Sequence, residues 1–159
     1  MDQIQAIYAS TSGNVEMTVE TVANNWREQG YAVDLHRSEV VNPEIISQNR
    51  VFLFATSTWD RGEINPFFIP ILEKIAQTDC TGKAAFFIGC GDFRYEPVKF
   101  NMGIQEVHDV WKDKGGQIMF HPLKINGDPQ LAMEPVILPW ITKSLPHVQT
   151  LFEGEGQHE

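Results

Sequence analysis

Residues 4–26 read IQAIYASTSGNVEMTVETVANNW, which is an apolar run, then a short polar loop, then a segment with a helical repeat. In that last segment the apolar residues recur every three or four positions and so share one helix face: Val15, Val19, Val22, Ala23 and Trp26. The repeat predicts a helix over residues 14–29, which Gly30 ends. A strand followed at once by a helix is the first half of a βαβ unit, so the stretch predicts an α/β protein with a parallel sheet.

Four further segments have strand character, at residues 31–36, 51–56, 84–89 and, more weakly, 116–125. The runs VFLFAT and AAFFIG in the second and third of these lack polar alternation, as is typical of parallel strands covered by helices on both faces. Pro122 removes a backbone donor from the last segment, so we expect an edge position or a bulge in its middle.

Helical patterns lie between these strands, at residues 66–77, 102–114 and 129–144. Pro135 and Pro139 weaken the last of them. The alternation of strands and helices predicts one domain with helices on both faces of its sheet. Beyond Pro146 the acidic composition, which ends in EGEGQHE, is typical of a flexible tail, so we expect a domain over residues 1–145 and a tail over 146–159.

Charge and composition exclude several classes of function. The chain has 12 basic and 21 acidic residues and a net charge of −9, which repels nucleic acid and favours basic partner proteins. Its apolar runs are too short to span a bilayer, and its first residues do not resemble a signal peptide, so we expect a cytoplasmic protein without membrane contact. The two cysteines and five histidines do not show metal-ligand spacing, so we expect no metal site.

Ligands of parallel α/β sheets bind beyond the carboxyl ends of the strands, which here selects the loops at residues 10–14, 57–63 and 90–100. The first loop combines hydroxyl and amide side chains with a helix N-terminus, where free N–H groups and the helix dipole favour an anion. It has neither the lysine of a triphosphate loop nor the several glycines of a dinucleotide loop, which favours a phosphate monoester held by neutral donors. An ordinary N-cap is the alternative, because Ser, Thr and Asn are common caps.

The second and third loops each contain one large aromatic residue, Trp59 and Tyr95, among polar residues and glycines. Two such rings can hold a flat heterocycle between them by stacking. Together the three loops predict a pocket for a phosphorylated flat heterocycle. The alternative is that each aromatic residue anchors its loop to the core.

Four motifs resemble those of the flavodoxins: YASTSGNVE at residues 8–16, STW at 57–59, GCGDFRYE at 89–96 and INGDP at 125–129. They occur in the order and spacing of that family, and the resemblance extends over about residues 3–145. The uninterrupted run at 115–128 is similar to the short-chain group. The resemblance implies a flavodoxin-like three-layer sandwich, with a five-stranded parallel sheet in the order 2-1-3-4-5 and helices on both faces.

The resemblance also implies FMN as the cofactor. Its phosphate would bind the first loop and Ser57, its ring would lie between Trp59 and Tyr95, and its pyrimidine edge would bind the main chain at residues 90–92. The implied cofactor-binding residues are Ser10, Thr11, Ser12, Gly13, Asn14, Val15, Ser57, Thr58, Trp59, Asp60, Gly62, Cys90, Gly91, Asp92 and Tyr95. Two of them depart from the family, since Val15 stands where Thr is usual and Asp60 where many relatives have Gly.

The function that the resemblance implies is that of a monomeric, low-potential one-electron carrier without substrate turnover of its own. Its partners would be redox proteins, such as a flavodoxin reductase or oxidoreductase donors and acceptors, docking through basic surfaces. An FMN-dependent NAD(P)H:quinone reductase of the same fold is the alternative. Hydride transfer needs one ring face open, however, and Trp59 and Tyr95 would close both. A receiver-type signalling domain is disfavoured, because the third strand ends in FATS and not in Asp.

Overall fold

The computed structural model describes residues 3–59, 62–91 and 101–156, except for the side chains of 154–156. Its strands are β1 (Ile4–Ala9), β2 (Val33–Arg37), β3 (Val51–Ser57), β4 (Ala84–Gly91), β5 (Gln117–Ile118) and β6 (Leu123–Asn126). All of their pairings are parallel, and the order is β2-β1-β3-β4, with β5 and β6 both paired to the far side of β4. The predicted order 2-1-3-4-5 is therefore confirmed, with β5 and β6 sharing the fifth position.

The division of the fifth strand follows from Pro122. Strand β5 ends at Ile118 and β6 begins at Leu123, so the irregular segment is residues 119–122. The indole N–H of Trp140 donates to the carbonyl of His121 at 2.9 Å, which satisfies a backbone group that no longer belongs to the ladder. Of the two expected outcomes, an edge position or a bulge, the edge position is confirmed, because among the described strands β5 and β6 pair only with β4, and the ladder is interrupted between them.

The helices are α1 (Asn14–Glu28), α2 (Ile45–Gln48), α3 (Ile69–Ala76), α4 (Met102–Asp113), α5 (Pro129–Ala132) and α6 (Leu138–Gly156). A 3₁₀ turn, Pro66–Phe68, precedes α3, and a π-helical segment, Met133–Ile137, joins α5 to α6. Pro135 and Pro139, which weakened the helical pattern at residues 129–144, both lie inside this helical region. Pro135 lies in the π-helical segment, whose hydrogen-bond pattern differs from that of an α-helix, and Pro139 lies in the first turn of α6.

The expected flexible tail from Pro146 needs correction for residues 146–153. Pro146 lies inside α6, which continues to Gly156, and Val148 is completely buried. The ring of Phe152 packs on Tyr31 with 5.5 Å between centroids. The acidic, glycine-rich end of the sequence obscured apolar residues that recur along this helix and pack against the core.

Two apolar clusters enclose the sheet from opposite faces. On one face α1 and α6 contribute Trp26 and Trp140, whose ring centroids lie 6.4 Å apart, and Trp26 also packs on Phe86 of β4 at 5.0 Å. On the other face α3 and α4 cover Phe54 of β3, with Trp111 of α4 at 5.3 Å. Because strands β3 and β4 are buried on both sides, they need the uninterrupted apolar composition that predicted them.

None of the helices in the described part of the chain combines the length and the apolar character that crossing a membrane requires.

Gly89 of β4 lies at a close approach between the sheet and α4. A Cβ atom at this position would lie 2.6 Å from Oδ1 of Asn101, 2.9 Å from Cβ of Ile104, and closer still to a methyl group of Ile104. We expect Gly89→Ala to lower the free energy of unfolding by about 1–3 kcal/mol, because overpacking forces the helix away from the strand. Urea denaturation of the cofactor-free protein measures this loss.

Gly91→Ala is the matched control, since Gly91 lies two residues further along the same strand. A Cβ atom there would have its nearest neighbour, the Asn101 backbone nitrogen, at 3.4 Å, which is an ordinary contact distance. Equal losses of stability in the two variants would contradict a close approach specific to Gly89.

Candidate functional site

The strand register places the ends of β1, β3 and β4 side by side. Ala9 pairs with Thr56, and Ser57 pairs with Cys90. The loops after these three strands therefore begin next to one another, at the carboxyl ends of the strands. The predicted site residues Asp60, Asp92 and Tyr95 lie outside the described residues. The other twelve of the fifteen predicted site residues are described. The strand pairing brings the starts of their loops together at the carboxyl ends of the strands.

The first loop turns into α1 through Gly13. This glycine is the N-cap and has a φ of 91°, a left-handed conformation that suits glycine. The hydroxyl oxygen of Ser10, a buried residue, accepts a hydrogen bond from the Gly13 N–H at 3.1 Å. Among the described side chains none caps the helix, so the alternative interpretation as an ordinary Ser, Thr or Asn cap does not hold here.

The open start of α1 fits a phosphate monoester. Thr11 and Ser12 are exposed, and the N–H groups of the first helical turn have no partners within the helix itself. Hydroxyl donors and a positive helix end at one point are the donor set that an anion requires. Val15, in the first turn of α1, has its side chain buried in the core, so only its main chain can take part.

Arg37 is a residue that the sequence reasoning missed. It ends β2 directly opposite Tyr8 of β1, and its guanidinium donates to the carboxylate of Glu16 in the first turn of α1. A second guanidinium nitrogen lies 3.5 Å from the carbonyl oxygen of Ser10. Only the sheet register could have revealed this contact, because Arg37 is more than twenty residues away from the loop in sequence.

The second loop follows β3, and contacts between its two ends hold it together. The N–H of Trp59 donates to the carbonyl of Glu63 at 2.7 Å, and Thr58 forms an antiparallel bridge with Ile64. Gly62 has a φ of 80° and donates to the carbonyl of Trp59 at 3.1 Å. Trp59 remains 41% exposed, so it is not the core-packed anchor that the alternative interpretation required.

The hydroxyls of Ser57 and Thr58 take part in contacts within the protein. Asn65, a completely buried residue, donates from Nδ2 to the Ser57 hydroxyl at 3.1 Å, and the N–H of Gly103 donates to the Thr58 hydroxyl at 2.9 Å. As hydroxyls, both retain a proton that they can donate elsewhere. Asn65 and Gly103 were not predicted, although the Asn-Pro pair at residues 65–66 signals a turn.

The start of the third loop is fixed through its main chain. The carbonyl of Cys90 accepts from the Thr58 N–H at 3.0 Å, and the carbonyl of Gly91 accepts from the Gly127 N–H at 2.8 Å. Gly127 belongs to the INGDP motif, so this motif contacts the end of β4, where the third loop begins. Asn101, buried at the start of α4, donates to the carbonyl of Ile125 at 3.3 Å and ties this helix to β6.

The Cys90 thiol is buried and stays protonated at neutral pH, so it is a poor nucleophile. Burial raises the pKa of its thiol from 9.0 to about 12, and a hydrogen bond with Thr18 offsets part of the rise. The same thiol loses its proton at lower pH in the unfolded chain than in the folded one. Its contribution to stability is therefore lost as the pH rises from about 9 towards 12.

We expect both thiols to resist labelling in the native protein, because Cys80 and Cys90 are buried and burial raises the pKa of each. Ellman's reagent at pH 8 should release no colour from the native chain. It should detect both cysteines once urea is added, which is the control for reagent and concentration. Rapid reaction of the native protein would show that at least one thiol is accessible as a thiolate.

Comparisons with known proteins agree with this geometry. The profile of the flavodoxin family matches residues 7–140. The flavodoxin of Nitratidesulfovibrio vulgaris (strain DSM 19637 / Miyazaki F) is 32% identical over 140 residues, which are 86% of this chain and 93% of that protein.

Two solved structures resemble the chain in fold. A short-chain flavodoxin associated with a PDU bacterial microcompartment has a TM-score of 0.85 at 21% identity, and the match covers 94% of this chain and 99% of that one. The flavodoxin of Fusobacterium nucleatum bound to flavin mononucleotide has a TM-score of 0.76 at 20% identity, with 90% and 96% covered.

Proposed function

The chain belongs to the flavodoxin family of electron-transfer proteins, and we propose that it holds FMN at the carboxyl ends of β1, β3 and β4 and passes single electrons between redox proteins. The observation that carries this proposal is the start of α1, which no described side chain caps and which exposed Thr11 and Ser12 precede. It lies at the same end of the sheet as the exposed Trp59. When bound, FMN supplies one-electron redox chemistry that protein side chains lack.

The phosphate end of the cofactor is assigned to the first loop. The hydroxyls of Thr11 and Ser12, the amide of Asn14 and the N–H groups of the first turn of α1 are its proposed donors. Ser10 shapes the loop from within, since its hydroxyl already accepts from Gly13. Val15 offers its N–H alone, so the loop lacks the hydroxyl that Thr supplies in relatives.

The ring end is assigned to the second and third loops. Trp59 offers an aromatic face at the end of β3, and Tyr95 is its proposed counterpart in the third loop. The main chain from Cys90 to Asp92 is proposed to bind the ring edge, with Thr58, Asp60 and Gly62 lining the same side, while the Ser57 hydroxyl is proposed to join the phosphate site. Hydrogen bonds among Thr58, Cys90 and Gly103 hold these two loops at a fixed spacing.

The surface charge supports electron transfer with protein partners at low potential. A net charge of −9 opposes the addition of a further electron, and it attracts partners with basic surfaces. We therefore infer a monomeric carrier that meets a flavodoxin reductase or other oxidoreductases through transient, charge-steered contacts. A quinone reductase would instead need one ring face open to its substrates.

We expect FMN to bind far more tightly than riboflavin, because riboflavin lacks the phosphate at which the first loop is directed. Several hydrogen bonds to a charged group, each of about 1.5–3 kcal/mol, amount to orders of magnitude in affinity. A titration followed by quenching of flavin fluorescence measures both dissociation constants. The double variant Thr11→Val, Ser12→Ala should reduce the ratio between them.

Ser47→Ala is the control for loss of a hydroxyl. Ser47 is exposed on α2, just before β3 begins, and so lies near the amino ends of the strands, away from the proposed site. It should leave both dissociation constants unchanged. Equal affinities of the wild-type protein for FMN and riboflavin would remove the phosphate site from the proposal.

The carrier and the reductase hypotheses predict different kinetics. We expect the FMN-loaded protein to oxidise NADPH slowly on its own and to be reduced quickly once a flavodoxin reductase is added. The reductase-dependent rate should fall as ionic strength rises, since salt screens the attraction between an acidic carrier and a basic partner. Stopped-flow absorbance measures both rates, and fast NADPH:quinone turnover by the isolated protein would favour the reductase.

A further inference from the structure

We propose that Arg37 is a positioning residue for cofactor selectivity, and that it acts by neutralising Glu16 so that the first loop accepts a phosphate dianion. This inference rests on the proposed function, because it concerns the loop assigned to the FMN phosphate. It adds a role for two charged side chains that lie outside the fifteen predicted site residues.

Glu16 presents an electrostatic problem for the loop. It lies in the first turn of α1, at the helix end where the phosphate is proposed to bind. A carboxylate there interacts well with the helix dipole when the site is empty, but it repels an incoming dianion. With no lysine or arginine in residues 10–14, compensation for this charge must come from outside the loop.

Arg37 supplies that compensation from the adjacent strand. Its position is fixed by the β1–β2 ladder, in which it pairs with Tyr8, and its guanidinium carbon lies 5.5 Å from the centre of the Tyr8 ring. One guanidinium nitrogen donates to Glu16, while another lies 3.5 Å from the Ser10 carbonyl and 3.9 Å from the Glu39 carboxylate. The guanidinium therefore contacts both the first loop and the acid beside it.

The pair is too exposed to serve mainly in folding. The side chains of Arg37 and Glu16 are 41% and 33% exposed, and ion pairs with this degree of solvent access contribute little to stability. Their removal should therefore leave the fold intact, which allows their effect on ligand binding to be measured directly.

The test is a double-mutant cycle of wild type, Glu16→Gln, Arg37→Ala and the double variant, each titrated with FMN and with riboflavin at low salt. Arg37→Ala should weaken FMN binding by about 3-fold to 30-fold, because it leaves the Glu16 charge uncompensated. Glu16→Gln should tighten FMN binding, since it frees the positive charge, and the double variant should return close to wild type. Riboflavin binding should not change in any of them.

Two further variants separate charge from structure. Arg37→Lys should retain most of the affinity for FMN, since it keeps the positive charge. Lys112→Ala removes the same charge near the far end of α4 and should leave FMN binding unchanged. The effect of Arg37→Ala should also shrink as salt is added, because the charges are partly exposed.

Loss of FMN and riboflavin affinity by equal factors in Arg37→Ala would overturn the inference, since it would assign the pair to loop structure alone. Unchanged FMN affinity in both single variants would overturn it as well. These outcomes differ from failure of the proposed function, in which the wild-type protein itself would not bind FMN or would not distinguish it from riboflavin.

Discussion

The parallel pairing of β3 with β1 on one side and β4 on the other is the constraint on which the rest of the structure depends. It fixes the carboxyl ends of three strands side by side, and hence the places where the three candidate site loops begin. It also buries β3 between two helical layers, with Phe54 pointing to one face and Ala55 to the other. The same hydrogen-bonded register thus determines both the composition of the core and the location of the candidate site.

The parts of the fold that the sequence could predict are those whose cause is local. The helical repeat of α1 and the apolar runs of β3 and β4 reflect burial on a defined face, and the break at Pro122 reflects a missing N–H group. Helix α2 has only four residues and no repeat of its own, so it left no comparable pattern. The last helix was obscured because its acidic, glycine-rich composition favoured a disordered end, although Val148 and Phe152 are placed to pack inward.

For the candidate site, the sequence predicted three loops but not the residues that hold them in place. Asn65 and Gly103 act through hydrogen bonds to Ser57 and Thr58, and the Gly103 contact joins the second loop to the first turn of α4, 45 residues away in the chain. Arg37 approaches the first loop only because β2 lies next to β1 in the sheet. Such contacts depend on register and on the approach of one helix to a strand, which a linear pattern of residue types does not encode.

The packing of Trp26 has a consequence for synthesis on the ribosome. Its aromatic neighbours in the core are Phe86 and Trp140, so the apolar face of α1 is not completely covered until most of the chain has been made. Strand β1 likewise waits for β3, because an interior strand with only β2 beside it still presents an unpaired edge. The N-terminal βαβ segment therefore emerges from the exit tunnel with an apolar helix face and an unpaired strand edge exposed, and both surfaces favour aggregation until the later elements are made.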